Sequence, residues 1–265
     1  MRWVEGVGAT TERSVAYVGG LAEVSANALR LLIRSPLKRS RMLDRAIHEA
    51  MAAGVGAIPI ISLVTLFVGV IIALQGAYEL QRLGAMQLVA GLVAIAITRE
   101  LGPLITAIVV IGRSGSAFAA EIGTMRVTEE LDALKTMALD PVAFLVAPKF
   151  IAMAVMLPCL AILADLLGIL GGSLFGTIGG GYTFGGYMLA TRDALQLRDI
   201  TSGVIKSVVF GIAITAVGCH EGFSTGAGAE EVGRSTTSAV VISILLVIAI
   251  DLIFTGLFYL ARGGN

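Results

Sequence analysis

Charged side chains are rare in the long apolar runs of this sequence, and the few that occur there could carry specific chemistry. A lone charge at the centre of a bilayer costs at least ~2.5 kcal/mol, so intramembrane charges pair with one another or face a wet cavity. Two cations and two anions can form a neutral cluster that joins three apolar runs. Such a cluster is either an ion network that locks helices together or a polar lining of a substrate path, and the residues leave both open. The four residues are Arg99, Glu100, Lys206 and Asp251.

Glu100 stands directly before Leu101-Gly102-Pro103. Pro103 has no backbone N–H and must disturb the hydrogen-bond ladder of a helix at this point. A carboxylate beside such a break fits a substrate-lining position better than a plain strut. A fifth intramembrane charge, Asp165, lies in a separate apolar run, and the sequence assigns it no role.

The motifs of ATP-dependent and metal-dependent enzymes are absent from the sequence. None of the four lysines follows a glycine, so the chain has no phosphate-binding loop, and ATP hydrolysis by the usual route is not expected. His48-Glu49 and His220-Glu221 each lack a second histidine four residues after the first, so no metal site is predicted.

One short motif suggests an alternative enzyme class. Gly112-Arg113-Ser114-Gly115 resembles the nucleophile loop of rhomboid intramembrane proteases, with His220 available as a base. Ser114, however, follows an apolar run and opens a charged segment, so we interpret the residues from Gly112 to Ser116 as a tight turn. The serine protease is kept as an alternative.

The composition requires that these residues be positioned by membrane helices. The chain is 56% hydrophobic and 14% charged, with a mean hydropathy of +0.90, whereas soluble domains have about 25% charged residues. Apolar runs of roughly 20 residues predict an all-α bundle, because only helices or closed barrels satisfy the backbone in lipid. The net charge of zero gives no indication of a nucleic-acid partner. We expect a single domain, 1–265, whose transmembrane bundle covers residues 50–261. The five spans are predicted at about 58–75, at 88–112, from near 150, at 202–219 and at 237–260.

Three further patterns predict an interfacial segment, the orientation of the chain and the packing of the third span. Residues 10–45 form an amphipathic stretch with a basic cluster, which predicts an interfacial helix, or alternatively a solvated linker. Most lysines and arginines fall on the side of the N-terminus, which places it inside, and five spans place the C-terminus outside. In the third span Gly168, Gly172, Gly176 and Gly180 recur every fourth residue, which predicts a close helix contact, with a flexible exit as the alternative for Gly180.

The charged segment 113–149 joins the second and third spans on the predicted inner side. Thr128 can cap a helix of about ten residues, with an apolar face formed by Leu131, Leu134 and Ala138. Asp140-Pro141 is expected to end it. This short helix has the shape of a coupling helix that docks in a cleft of an ATPase, although an ordinary membrane-surface helix has the same pattern.

Several motifs, in order along nearly the whole chain, resemble the MlaE (YrbE) permease family, the membrane subunits of bacterial Mce-type phospholipid ABC transporters, which have a plastid counterpart. The motifs are Thr98–Pro103, Gly112–Ser116, Ala120–Arg126, Thr128–Glu130, Asp140-Pro141, Gly171-Gly172, Ile205–Phe210, Gly233–Thr237 and Asp251.

The resemblance implies an activity and a set of partners. It implies a homodimer of permeases in the bacterial inner membrane, with the N-terminus cytoplasmic and the C-terminus periplasmic. Two separate subunits would bind ATP and Mg, so this chain would need no cofactor, and a ring of Mce-domain subunits would receive the phospholipid. An ion-coupled secondary transporter that uses Glu100 and Asp251 is the remaining alternative.

The resemblance also implies roles for particular residues. The intramembrane charges of the family map onto Arg99, Glu100, Lys206 and Asp251, and an N-terminal elbow helix matches the amphipathic stretch. The expected lipid-cavity residues are Glu100 and Leu101, together with Leu80 and Leu83, which we expect there because they lie just past the first span. The expected ATPase-coupling residues are Glu121, Glu129, Glu130, Leu131, Leu134 and Asp140.

Overall fold

The computed structural model describes residues 19–21, 25–27, 30, 39–179 and 181–262. The predicted interfacial stretch 10–45 lies mostly outside the described residues, as does Gly180. The described ranges are helical with no β-strand, which confirms the all-α prediction. The α-helices are α1 (Arg39–Gly54), α2 (Ile58–Arg82), α3 (Val89–Ala96), α4 (Gly102–Val110), α5 (Ser116–Val127), α6 (Glu130–Thr136), α7 (Ala147–Ile178), α8 (Phe184–Ala194), α9 (Leu197–Ser224) and α10 (Ala229–Arg262).

Several α-helices join into longer runs through short segments of other helical geometry. Val55–Ala57 and Met86–Leu88 are 3₁₀ turns, and α1 continues through the first of them into α2. Ile97–Leu101, Ile111–Gly115 and Val142–Val146 are π-helical. The π-turns allow a helix to change direction without breaking, and they occur often at functional sites.

Five of these runs, within the described part of the chain, are long and apolar enough to cross a membrane, as predicted. They are Met42–Arg82, Met86–Val127, Val142–Ile178, Leu197–Ser224 and Ala229–Leu260. The second run has 42 residues and is therefore ~63 Å long at 1.5 Å per residue, well beyond the ~30 Å hydrocarbon core. The predicted segment 113–149 accordingly contains the ends of two long runs, and only residues 128–141 separate them.

The interpretation of Gly112–Ser116 as a tight turn is wrong. The second run passes through this segment as a π-helical turn, because its backbone stays in the right-handed region and α5 follows directly. Ser114 is buried there, and its hydroxyl donates to the backbone oxygen of Ala53 at 3.4 Å.

Glycines bring the first and third runs into backbone contact. A Cβ at Gly69 of α2 would overlap the carbonyl oxygen of Gly168, and a Cβ at Gly171 of α7 would overlap that of Leu66. The glycine pattern of the third run therefore does mark a helix interface, as predicted for Gly168 and Gly172. Without a hydrophobic driving force between helices in lipid, such close van der Waals contact is a main source of their association.

The same glycine face also receives α8. Tyr187 is fully buried, and its ring and hydroxyl lie where side chains at Gly172 and Gly176 would otherwise stand. Thr183 caps α8 by accepting from the backbone N–H of Gly186 at 3.2 Å, and burial raises the pKa of Tyr187 to about 12. The glycine stripe of α7 thus packs against α2 and α8 in turn.

We expect Gly171→Ala and Gly69→Ala to lower the midpoint of thermal unfolding in detergent. A small-to-large change in a packed interior costs ~1–3 kcal/mol, and here the neighbour that must move is backbone. Gly256→Ala is the control, because a Cβ at this helical glycine meets no atom within 4 Å. Equal midpoints for the Gly171 and Gly256 variants would contradict the proposed packing.

Candidate functional site

The predicted intramembrane charges lie at one level of the bundle. Lys206 is nine residues from the start of α9 at Leu197, and Asp251 of α10 is nine residues from Leu260, so both lie ~14 Å from the same end of the bundle. The π-turn Ile97–Leu101 supplies Arg99 and Glu100 from the second run. Three spans therefore contribute to one polar site.

Lys206 is the centre of the site, and it is fully buried. Its Nζ donates to Glu100 Oε2 at 2.6 Å, to Thr255 Oγ1 at 2.8 Å and to the backbone oxygen of Arg99 at 3.3 Å. Asp251 Oδ1 lies 2.9 Å from the same Nζ. We call Glu100, Lys206, Asp251 and Thr255 the Lys206 cluster.

Two carboxylates share a single cation in this cluster. The three donors of the Lys206 ammonium are all directed at Glu100, Thr255 and Arg99, so Asp251 is held by charge attraction without an aligned hydrogen bond. The Thr255 hydroxyl bridges to Glu100, with its oxygen 3.1 and 3.2 Å from Oε1 and Oε2. Sequence reasoning missed Thr255, although it lies four residues after Asp251 and so on the same helix face.

The predicted neutral cluster of four charges is wrong in one member. The Arg99 side chain points to Asp199, with Nε 3.7 Å from Oδ1. Asp199 is buried at the start of α9, where its other carboxylate oxygen accepts from the backbone N–H of Gln196 at 3.1 Å. The arginine is therefore neutralised by a helix-capping carboxylate, and the signal for it was the Gln196-x-x-Asp199 spacing of a capping box.

The missing N–H of Pro103 explains why the backbone of Arg99 takes part. Pro103 has no N–H to offer to the carbonyl of Arg99, four residues earlier. That carbonyl accepts a hydrogen bond from Lys206 instead. Gly203 of α9 lets the two helices come close, because a Cβ at this position would overlap the carbonyl oxygen of Thr98.

Asp165 lies outside the Lys206 cluster. It is buried on α7, and its Oδ1 faces Gly102, where a Cβ would overlap it. This oxygen has no hydrogen-bond partner among the described residues. Asp165 of α7 thus packs against the Leu101-Gly102-Pro103 segment at Gly102.

The carboxylates of the Lys206 cluster remain partly accessible. The side chains of Glu100 and Asp251 are 34% and 16% exposed, against 1% for Lys206. Leu80 and Leu101 pack against the apolar group that contains Val93 and Ile97, and Leu101 directly follows Glu100 in the chain. Leu83 is 77% exposed, in the turn that ends α2. An accessible carboxylate beside apolar side chains can contact a polar headgroup, and the lipid role of these residues stays a prediction.

The predicted coupling helix is present as α6, with shifted ends. It spans seven residues rather than about ten, and Glu129 rather than Thr128 is its N-cap, with a left-handed backbone (φ 61°). At the other end Ala138 is also left-handed (φ 56°), and the N–H groups of Ala138 and Leu139 bond to Lys135 and Leu134. This is the Schellman arrangement that terminates a helix. Asp140 accepts from the N–H of Val142 and so begins the next run.

The apolar face of α6 is turned into the chain itself. Leu131 and Leu134 are each 7% exposed and pack with Ile122, Val146 and Phe150. The face open to a partner carries Glu129, Glu130, Ala133 and Met137, the last 62% exposed. Lys135 hydrogen-bonds Asp132 at 2.8 Å on this surface and lowers the pKa of that carboxyl. Glu121 is bound to Lys149 rather than free.

Comparison with known proteins gives consistent matches over most of the chain. The family described as Permease MlaE matches residues 46–257. A probable ABC transporter permease protein of Rickettsia conorii is 37% identical over 253 residues, 96% of each chain. The intermembrane phospholipid transport system permease protein MlaE of Haemophilus influenzae is 38% identical over 214 residues, 80% of this chain and 82% of its own. The chloroplastic protein TRIGALACTOSYLDIACYLGLYCEROL 1 of Arabidopsis thaliana is 39% identical over 203 residues, 77% of this chain and 58% of its own.

Lys206→Met is expected to destabilise the protein strongly. Removal of one partner from a buried ion pair costs ~3–5 kcal/mol, because the remaining charge is left uncompensated, and here two carboxylates lose their cation. Lys135→Met is the matched control, since an exposed pair contributes ~1 kcal/mol or less. The measurement is thermal unfolding in detergent.

Neutralising the two carboxylates that lose their cation should recover the lost stability. The triple variant Lys206→Met, Glu100→Gln, Asp251→Asn is expected to unfold closer to the wild type than Lys206→Met alone. Equal stability of Lys206→Met and Lys135→Met would show that the cluster does not hold the spans together.

Proposed function

The chain belongs to the MlaE permease family, and we propose that it is the membrane-spanning subunit of an ABC transporter that moves phospholipid. The observation that carries the proposal is the match to the phospholipid transport permease of H. influenzae, which covers four fifths of this chain. The membrane permease itself follows from the family and from the five long apolar helices. The phospholipid and its route are the proposed part.

Separate subunits would supply the energy in this scheme. ATP and Mg would bind to two ATPase subunits, which dock on the open face of α6 at Glu129, Glu130 and Met137. The end of the bundle that carries α6 is then cytoplasmic, and the opposite end faces the periplasm and an Mce-domain carrier. The left-handed residues at both ends of α6 and its two buried leucines support this role, because they hold the helix firmly on the permease.

The Lys206 cluster is the proposed contact for the lipid headgroup. Glu100 is the most exposed of its charged groups, and Leu101, which follows it in the chain, belongs with Leu80 to an apolar group that offers surface for an acyl chain. We propose that two copies of this chain form a homodimer in the inner membrane with the lipid between them. The exposed apolar side chains of α10, such as Leu245 and Leu252, offer surface for such a contact.

ATP-dependent lipid movement is the direct test of the proposed function. In proteoliposomes with a fluorescent phospholipid, transfer to an Mce-domain carrier should require the permease, the ATPase subunit and ATP together. The permease alone should hydrolyse no ATP, because it lacks a phosphate-binding loop. Vanadate-sensitive hydrolysis by the clean, isolated chain, or transfer without ATP, would refute the proposal.

Glu100→Gln should yield a folded protein that transfers lipid poorly. Asp251 still neutralises Lys206 in this variant, so the fold should persist. Loss of a hydrogen bond to a charged group costs ~1.5–3 kcal/mol, and 1.4 kcal/mol is a factor of ten, so we expect transfer to fall about tenfold or more.

Photo-crosslinking complements this measurement. A crosslinker at position 100 should capture phospholipid in an ATP-dependent manner, whereas one at Leu166, which is 58% exposed on α7, should capture bulk lipid regardless of ATP. If position 100 captures no lipid while Leu101 does, Glu100 is a structural strut and not a lipid contact.

The two faces of α6 should respond differently to substitution. Met137→Ala combined with Glu130→Lys should abolish co-purification of the ATPase subunit and leave thermal unfolding of the permease unchanged, because both side chains are exposed. Leu131→Ala should lower the unfolding midpoint, since a buried leucine contributes ~2–5 kcal/mol. Met51→Ala, at an exposed methionine of α1, is the control. Retention of the ATPase by the Met137 and Glu130 variant would exclude this face as the docking site.

A further inference from the structure

The end of the bundle that carries α6 contains a second buried cation. Lys149, at the start of α7, has no exposed side-chain surface. Its Nζ donates to Glu49 Oε1 at 2.6 Å and to Glu121 Oε2 at 2.8 Å, and it lies 4.8 Å from the centre of the Phe118 ring. Sequence reasoning assigned Glu121 to ATPase contact and gave no role to Glu49 or Lys149.

The three charges belong to three different helices around α6. Glu121 lies on α5, which leads into α6, and Lys149 lies on α7, which leaves it. Glu49 lies on α1, more than seventy residues before Glu121 in the chain. One ammonium group therefore joins both helices that flank α6 to α1, the first part of the run Met42–Arg82.

Four more contacts attach the same face of α1 to the two runs that contain these helices. The Arg45 guanidinium lies 3.6 Å from the centre of the Phe144 ring and donates to the Phe144 carbonyl at 3.4 Å. Arg113 and Ser114 donate to the carbonyls of Ala52 and Ala53, each at 3.4 Å. Positions 45, 49 and 52–53 follow one another at helical spacing, so they share a face. The exposed side of α1 carries Leu43, Ile47 and Met51.

Separation of these helices would take a carboxylate away from the buried Lys149 ammonium. Glu49 and Glu121 keep some solvent contact, at 25% and 46% side-chain exposure, but Lys149 has none. A buried ammonium that loses one carboxylate keeps only part of its compensation, so the helices around it resist independent movement.

We propose that Lys149 is a positioning residue that makes α1, α5, α6 and the start of α7 one rigid unit. A displacement of α6 by a bound ATPase is then carried through Lys149 to α1, and through the continuous helix Met42–Arg82 to the first span. The mechanical part rests on the proposed function. The attachment of α1 by Lys149 does not, and the two are tested separately.

The first experiment measures the rigidity of the full chain alone in nanodiscs. Spin labels at Ile47→Cys and Ala133→Cys report the distance between α1 and α6, in a Cys159→Ser background because Cys159 is the exposed native cysteine. The distance distribution should be narrow in the wild type and clearly broader with Glu49→Gln, which leaves the Lys149–Glu121 pair in place. Asp44→Asn, at an exposed acid of the same helix, should leave it narrow. An unchanged width with Glu49→Gln overturns the proposal.

The second experiment measures phospholipid transferred per ATP hydrolysed by the complex of permease and ATPase in proteoliposomes. Glu49→Gln should lower this ratio about fivefold or more, the size of a typical coupling between sites, while assembly and the ATP hydrolysis rate persist. Asp44→Asn should match the wild type. A wild-type ratio with Glu49→Gln overturns the transmission through Lys149. If the wild type itself transfers no lipid with ATP, the proposed function fails, and the spin-label distances still decide whether Lys149 joins the helices.

Discussion

The ammonium of Lys206 has to be compensated inside an apolar bundle, where water does not reach it. A single side chain with three donors can satisfy this requirement only if acceptors arrive from several directions. They come from the π-turn Ile97–Leu101 of the second run and from Thr255 of the last one, with Asp251 adding charge alone. The relative positions of three spans are thus fixed at this level by the geometry of one cation, whatever the surrounding apolar contacts contribute.

Close backbone packing is the second condition for this arrangement. Gly203 of α9 lies against the carbonyl of Thr98, which brings Lys206 within reach of the π-turn. Gly69 and Gly171 do the same for α2 and α7 on another side of the bundle. Small residues therefore allow the short distances between neighbouring helices. The charged groups on these helices can reach one another because the helices lie so close. A larger side chain at Gly203 would separate the acceptor from the lysine even though it carries no charge itself.

The sequence predicted those features that depend on composition and spacing along one helix. Hydropathy predicted the five apolar runs, and a four-residue period predicted the glycine face of α7. The cost of lone charges in lipid predicted the pairing of Lys206 with Glu100 and Asp251. The features it missed depend on which elements meet in space. Arg99 had two carboxylates available, and only the fold shows that Asp199 at the start of α9 lies opposite to it. Likewise, Leu131 and Leu134 form an apolar face that fits an external partner or the protein's own core, and the structure turns them inward.

The contact between Lys206 and the carbonyl of Arg99 has a consequence for how this sequence can change over time. A residue with an N–H at position 103 could also donate to that carbonyl, because its oxygen has two lone pairs. Conversely, a residue without a donor at position 206 would leave the carbonyl beside a proline that cannot serve it. Loss of Lys206 is therefore more unfavourable beside Pro103 than beside a residue with an N–H. The effect of a substitution at position 206 thus depends on the residue at position 103, although the two lie on different helices.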